Sequence, residues 1–196
     1  MVSRMNLQHE YTLTELEQKI CSTSGKMRYN SNRKAGLPNA KVSKRNPTDI
    51  EMIGVAGELA VAKYLNVYPD LSIFVRKGGA DLITHDNKKI DVKTTFYDRG
   101  KLIAFYKTDY GDIDTFVLVT AEHYPTVVIR GWAKREDLIN DNKIGDLGYG
   151  KVFVMEQSEL RDINLLCFRL KSVNNNKKIP KRYPDNSKDD LSGYRI

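Results

Sequence analysis

Glu58, Asp81, Asp91 and Lys93 stand where a fold usually places uncharged side chains. Glu58 lies within GVAGELAVAKYL, whose small and apolar residues have the spacing of a helix. Asp81 follows a Gly-Gly pair, and Asp91 and Lys93 alternate with apolar residues in KIDVK. Burying unpaired carboxylates is costly, so a group of them requires a compensating cation. That cation would be a lysine or a metal ion.

The Asp-x-Lys spacing decides little by itself. Asp-x-Lys or Glu-x-Lys recurs here at Glu17, Asp86, Asp91 and Asp141. Only the copy at Asp91 lies in a segment that alternates as a strand, which would project Asp91 and Lys93 from one face. An exposed salt bridge on a strand would explain such a pair if it stood alone.

The neighbouring carboxylates favour a functional interpretation. Glu58 on the preceding helix and Asp81 on the preceding strand could meet Asp91 and Lys93 at one end of a sheet. Carboxylates grouped in this way bind a hard divalent cation such as Mg²⁺. The cation would polarise a phosphoryl oxygen, while Lys93 would orient or deprotonate a water and offset developing charge.

This site requires a particular hairpin. ADLIT and KKIDVKTT are predicted strands, joined by a polar turn around HDNK. We predict that Asp81 pairs opposite Lys93, with a loop at residues 86–88, because this register puts Asp81 on the face of Asp91 and Lys93. A loop one residue longer would pair Asp81 with Val92 and turn it away, unless a bulge re-aims it.

Two helices are predicted in the first third of the chain. YTLTELEQKI begins with overlapping capping boxes, Thr12 with Glu15 and Thr14 with Glu17. The second helix is predicted to start at a capping box formed by Thr48 and Glu51, just after Pro47, and to run to about Asn66.

Residues 26–45 contain no acidic residue, and their Gly, Pro, Asn and Ser content predicts an irregular basic arm. A solvated linker of incidental charge is the alternative. We expect the arm to contact nucleic-acid phosphates through Arg28, Arg33, Lys34, Lys44 and Arg45.

The remaining elements predict an α/β or α+β domain around a central mixed sheet flanked by helices. Further strands are predicted at LSIFVRK, LIAFY, TFVLVT, TVVIRGW and KVFVM, and short helices at AKREDLIN and SELRDINLL. We therefore expect an N-terminal helix and basic arm (1–46), a core (47–170), and a polar, partly disordered tail (171–196).

Composition limits the functional classes. The chain has 196 residues, 40% hydrophobic content and a formal charge of +7, which favours one domain and a polyanionic partner, although the charge could serve solubility alone. Cys21 and Cys167 lack metal-ligand spacing and indicate no disulfide framework. No apolar run is long enough to span a bilayer, so we expect a soluble, cytoplasmic protein without a membrane partner.

The motifs GVAGE, GADL and IDVK resemble those of the PD-(D/E)XK nuclease superfamily. The resemblance implies a restriction-endonuclease-like core and Mg²⁺-dependent hydrolysis of DNA phosphodiesters, with Mn²⁺ as a substitute. It implies Asp81 and Asp91 as metal ligands, Glu58 as a direct or water-mediated ligand, and Lys93 as the catalytic lysine.

The sequence departs from the superfamily pattern in two places. Ala80 replaces the proline of the family's name. No Gln-containing helix follows KTT, which favours endonucleolytic cleavage (nicking, double-strand or junction cutting) over exonuclease activity.

Two other functions stay open. The first is a non-catalytic nucleic-acid-binding protein on the same scaffold. The second is a basic structural or assembly protein without metal affinity. If the protein cuts both strands of a duplex, two such sites are needed, which would be consistent with a homodimer.

Overall fold

The computed structural model describes residues 9–37, 45–73, 79–148 and 150–166. It is a mixed α/β fold. The elements are β1 (His9–Thr12), α1 (Glu15–Lys34), α2 (Pro47–Leu65), β2 (Leu82–Ile83), β3 (Lys89–Thr95), β4 (Leu102–Phe105), β5 (Thr115–Thr120), β6 (Thr126–Lys134), α3 (Arg135–Leu138), β7 (Ile144–Asp146) and β8 (Lys151–Met155). Short 3₁₀ helices cover Asp141–Lys143 and Gln157–Glu159. Within these ranges no helix has the length and apolarity to cross a membrane.

The first helix uses the second of its two predicted capping boxes. The Thr14 hydroxyl accepts the Glu17 N–H, and the Glu17 carboxylate accepts the Thr14 N–H at 2.8 Å. Thr12 instead ends β1, a strand that was not predicted.

α1 continues to Lys34, so the prediction of irregular structure from residue 26 is wrong for that stretch. Packing against α2 overrides the weak helix propensity of its Asn and Ser residues. The two helices approach closely at Gly25, where an added Cβ would lie 2.7 Å from the Met52 nitrogen. Residues 38–44, which include Lys44, fall outside the described residues.

The second helix has its N-cap at Asn46, two residues before the predicted cap, Thr48. The Asn46 side chain accepts the Thr48 N–H at 3.1 Å, and Pro47 occupies the first helical position, where its missing N–H costs nothing. The helix ends at Leu65, close to the predicted end, and Asn66 follows as its C-cap in a left-handed conformation with φ of 53°.

The larger sheet has the strand order β1-β6-β5-β3-β2 and is mixed, as predicted. β3 runs parallel to β5, and the other neighbours are antiparallel. β2 is only two residues long, shorter than the predicted strand ADLIT. Of the predicted strand LSIFVRK, residues 71–73 are not in a strand, and residues 74–78 lie outside the described part of the chain.

A second sheet, of order β4-β8-β7, covers one face of the larger sheet. Phe116 and Leu118 of β5 pack in its core with Leu102 and Phe153. The opposite face packs on α2 through a core that includes Ile90, Val92, Val117 and Val119. Helices therefore flank one face as predicted, whereas β-strands and the short α3 cover the other.

The N-terminal elements join this core. β1 pairs with β6, and α1 packs along α2, contributing the buried Cys21. Residues 171–196, predicted to form a polar tail, lie outside the described residues.

Candidate active site

β3 brings Asp91 and Lys93 to one face of the larger sheet. In the parallel register they stand beside Phe116 and Leu118 of β5, the residues that face the second sheet. Lys93 Nζ lies 2.9 Å from Asp91 Oδ2, to which it donates a hydrogen bond. Asp91 is 7% exposed, so this carboxylate is buried beside its lysine.

One oxygen of Asp91 has an unusual environment. Oδ1 lies 2.7 Å from Lys93 Nζ but accepts no hydrogen bond from the described residues, although it is buried. The Lys93 ammonium compensates the charge of this oxygen, and its unused hydrogen-bonding capacity leaves it available to a further ligand or ion.

The hairpin register differs from the predicted one. Leu82 pairs with Ile90, so a continuation of the ladder sets Asp81 opposite Asp91 and not opposite Lys93. The observed register differs from the predicted one by two residues. A shift by an even number keeps each side chain on the same face of the sheet, so Asp81 is not turned away from the face of Asp91 and Lys93.

The turn between β2 and β3 explains this register. The Thr84 N–H donates to the Lys88 carbonyl at 2.9 Å, the Lys88 N–H donates back to the Thr84 hydroxyl, and Asn87 has φ of 64°. These bonds close a turn over residues 85–87, which has the length of the predicted loop but lies one residue earlier in the chain.

Asp81 takes the place of the missing end of β2. Its N–H donates to the Ile90 carbonyl at 2.9 Å, and its Oδ2 accepts the Val92 N–H at 2.7 Å. The carboxylate thus satisfies a main-chain donor of β3 that the short β2 does not reach.

The carboxylates influence one another's charge. Burial, and then the charges of Glu58 and Asp91, raise the pKa of Asp81 to about 7, against the opposing effects of the Val92 N–H and Lys93. Asp81 therefore lies close enough to sense the charges of both Glu58 and Asp91. Of these two, Glu58 lies on the helix side of the sheet.

Glu58 is buried, as its position in the helix predicted, and it is paired with an arginine. Arg28 Nη1 and Nη2 donate to its two oxygens at 2.8 and 2.9 Å. Arg28 Nη2 also donates to the Asp70 carbonyl at 2.7 Å. Burial alone would lower the pKa of Arg28, but the hydrogen bond and charge of Glu58 outweigh it and raise the pKa.

This ion pair gives Arg28 an internal role. Its side chain is largely buried between α1 and α2, so the structure offers no support for the predicted contact of Arg28 with phosphate. Sequence reasoning missed the pair because Arg28 and Glu58 lie on different helices, and no local pattern links them.

Lys93 carries a positive charge at neutral pH. Burial would lower the pKa of Lys93, but the charges of Asp91 and Tyr110 and the Asp91 hydrogen bond raise it above its usual value. Its Nζ also lies 5.6 Å from the centre of the Tyr110 ring. An ammonium suits Lys93 for stabilising negative charge and argues against a role as a base.

The donor set can be compared with the needs of a metal ion. Across the described ranges, no three His, Cys, Asp or Glu side chains are already grouped as a metal site. The donor chemistry of Asp81 and Asp91 nevertheless fits a hard cation, because both offer carboxylate oxygens and Oδ1 of Asp91 lacks a hydrogen-bond donor. Glu58 is held by Arg28 and would have to release it to become a ligand.

Of the other predicted cations, Lys34 and Arg45 are exposed, whereas Arg33 is half-buried, with its Nε buried and without a hydrogen-bond partner among the described residues. Arg33 and Lys34 occupy the last turn of α1, and the Arg33 guanidinium stands 5.5 Å from the centre of the Tyr29 ring. Arg45 lies 4.1 Å from the centre of the Phe96 ring. Lys44 falls in the part of the chain that is not described.

A groove begins at Lys93 that sequence reasoning did not identify. It has a volume of about 590 Å³ and is lined by α2, the end of β3, the loop at residues 96–101 and β4. The alternation of aromatic and basic residues in FYDRGKLIAFY is the signal that could have indicated it.

Comparison with known families places the chain. The model of a family of unknown function, DUF5843, matches residues 3–125. The chain belongs to this family. The match includes Glu58, Asp81, Asp91 and Lys93, and it ends before β6. Comparisons with curated proteins and with solved structures find no match.

Proposed function

We propose that this member of DUF5843 is a divalent-metal-dependent nuclease that hydrolyses DNA phosphodiester bonds within the strand, in a restriction-endonuclease-like core. The observation that carries the proposal is the buried Asp91–Lys93 ion pair on β3, flanked by Asp81, whose carboxylate accepts the Val92 N–H of the same strand. An ordinary exposed salt bridge does not account for it, because Asp91 is buried, and because burial and the neighbouring carboxylates raise the pKa of Asp81.

Asp81 and Asp91 would hold the metal, Mg²⁺ or Mn²⁺, and Glu58 would contribute if Arg28 moved. Bound there, the cation would supply Lewis-acid activation of the phosphate and of a water. The Lys93 ammonium would stabilise the charge that develops on the phosphoryl oxygens, because its bond to Asp91 fixes it beside that position.

Binding of the polyanion would come from cations outside this centre. The formal charge of +7 would attract DNA without reading its sequence. Arg33, Lys34, Lys44 and Arg45 stay the proposed phosphate contacts. Cutting both strands of a duplex would further require a second centre, supplied by a homodimer.

The test is cleavage of plasmid, linear, single-stranded and four-way-junction DNA with Mg²⁺, with Mn²⁺, and with EDTA. The wild-type protein should cleave in a metal-dependent manner, and Asp91→Asn and Lys93→Ala should each reduce the rate by several orders of magnitude. Absence of metal-dependent cleavage, or wild-type rates in both variants, would show that the proposal is wrong.

Matched controls are available near the site. Asp112→Asn removes an exposed carboxylate. Lys89→Ala removes the lysine that pairs with Asp112, and Lys89 lies on the same strand as Lys93. Both should cleave at the wild-type rate. The non-catalytic alternative predicts equal DNA binding and no cleavage in all of these proteins.

A further inference from the structure

The groove that starts at Lys93 combines two kinds of side chain. Tyr97 is 64% exposed and Phe105 is 44% exposed, although both line a concave surface. The described lining also contains Lys93, Arg99 and Lys101 and no carboxylate. Aromatic faces beside cations are the features with which proteins bind nucleic-acid bases and phosphates together.

The cations of this groove differ in whether they already form ion pairs. Within the described part of the chain, Arg99 is exposed and makes no ion pair. Lys101 pairs with Glu156 at 2.5 Å but stays accessible. Arg99 is therefore the cation best placed to meet a phosphate at this groove.

The loop that presents Tyr97 and Arg99 is held at several points. The Gln157 side chain donates to the carbonyls of Asp98 and Gly100 at 2.7 and 2.8 Å. Asp98 also pairs with Arg130, and the Gly100 N–H donates to the Tyr97 carbonyl at 2.8 Å. Because the loop is fixed, little entropy would be lost when a ligand stacks on Tyr97.

We propose that this groove binds an unpaired DNA strand, with bases stacked on Tyr97 and Phe105 and a phosphate at Arg99. In a duplex, base faces are covered by neighbouring bases, so exposed aromatic side chains in a groove gain most from bases that have left the helix. This inference rests on the proposed function and names its substrate: single-stranded DNA, or an unpaired segment of a branched one.

The experiment measures binding in EDTA, so that cleavage plays no part. Fluorescence anisotropy compares a labelled oligo(dT) of about 15 nucleotides with a duplex of the same length. A single strand of this length is long enough to span a typical single-strand site. We expect the single strand to bind at least about tenfold more tightly. Tyr97→Ala and Phe105→Ala should each weaken single-strand binding by about fivefold or more and leave duplex binding unchanged, whereas Tyr97→Phe should retain the wild-type affinity.

Two controls separate stacking from charge. Tyr68→Ala removes an aromatic residue that is 83% exposed and does not line the groove, and it should have no effect. An abasic oligonucleotide keeps its phosphates, so its affinity should not respond to Tyr97→Ala. Arg99→Ala should instead lower the slope of log affinity against log salt by about one.

The outcomes distinguish this inference from the proposed function. Equal or tighter binding of duplex, or an unchanged affinity in both alanine variants, would overturn the groove proposal even if Asp91-dependent cleavage were found. A single-strand preference that depends on Tyr97, together with no cleavage in Mg²⁺ or Mn²⁺, would support the groove and overturn the nuclease assignment.

Discussion

Arg28 and Glu58 form a two-pronged ion pair that joins α1 to α2, with hydrogen bonds of 2.8 and 2.9 Å. The same guanidinium binds the carbonyl of Asp70. The charge that first marked Glu58 as unusual is therefore compensated inside the protein by an arginine. A metal ligand role for Glu58 would require this pair to open.

Removal of Arg28 should be strongly destabilising. Arg28→Met leaves the Glu58 carboxylate buried without its partner, and we expect a loss of about 3–5 kcal/mol in the free energy of unfolding. Adding Glu58→Gln should recover part of this loss. The measurement is denaturant unfolding, with the exposed Lys34→Met as the control; a single variant as stable as wild type would contradict the pairing.

The stability of the metal-free protein should depend on the ionisation of Asp81. The pKa of Asp81 is about 7 in the folded protein, against 3.8 for a free carboxyl group. Between these values the carboxyl group loses its proton in the unfolded chain but keeps it in the folded protein, so the contribution of Asp81 to stability falls as pH rises from about 4 to about 7 and is constant above that range.

Asp81→Asn should remove this dependence. In EDTA, the melting temperature of this variant should exceed that of the wild type by an amount that grows from about pH 4 to about pH 7. The local structure should be retained, because the amide oxygen can still accept the Val92 N–H. A difference in melting temperature that does not change with pH would show that Asp81 does not titrate in this range.

Metal binding should separate the roles of Asp91 and Lys93. Asp91→Asn removes a negative charge from the proposed site and should weaken Mg²⁺ or Mn²⁺ binding by about tenfold or more. Lys93→Ala should leave metal affinity unchanged or increased, since it removes a cation that repels the metal. Calorimetric titration measures both; equal losses in the two variants would contradict these roles.

The contact between α2 and β3 depends on Gly57. An added Cβ there would overlap the Thr94 hydroxyl, whereas nothing lies within 4 Å of a Cβ added at Gly54. We expect Gly57→Ala to cost about 1–3 kcal/mol in unfolding free energy and Gly54→Ala to be neutral or stabilising by up to about 1 kcal/mol. Thermal denaturation of the two variants tests this contrast.

Phosphate binding through the last turn of α1 and the residues that follow it has a salt-dependent signature. Replacing Arg33, Lys34, Lys44 and Arg45 with alanine should weaken binding to unrelated DNA sequences and lower the salt slope by about one for each phosphate that these cations neutralise. Lys19→Ala, at an exposed position earlier on α1, is the control. An unchanged slope would show that these four cations do not contact phosphates.

Local patterns predicted the features that depend on neighbouring residues. The capping box at Thr14, the end of α2 near Asn66 and the alternation in β3 all follow from short-range chemistry. The same patterns placed Glu58 at the edge of the core, where it is buried.

Features that depend on contacts between distant residues could not be predicted from local sequence patterns. The length of α1 depends on packing at Gly25, and the partner of Glu58 comes from another helix. The register of the hairpin follows from side-chain bonds of Thr84, which the composition of the turn does not specify.

The hydrogen bond from Val92 to Asp81 gives the protein a built-in spectroscopic reporter. Val92 N–H is a main-chain amide whose acceptor is a side chain with a pKa of about 7. Its proton resonance senses the charge on that carboxylate directly, without any label. A single amide signal would thus register both protonation at the sheet edge and the arrival of any ligand that competes for Asp81.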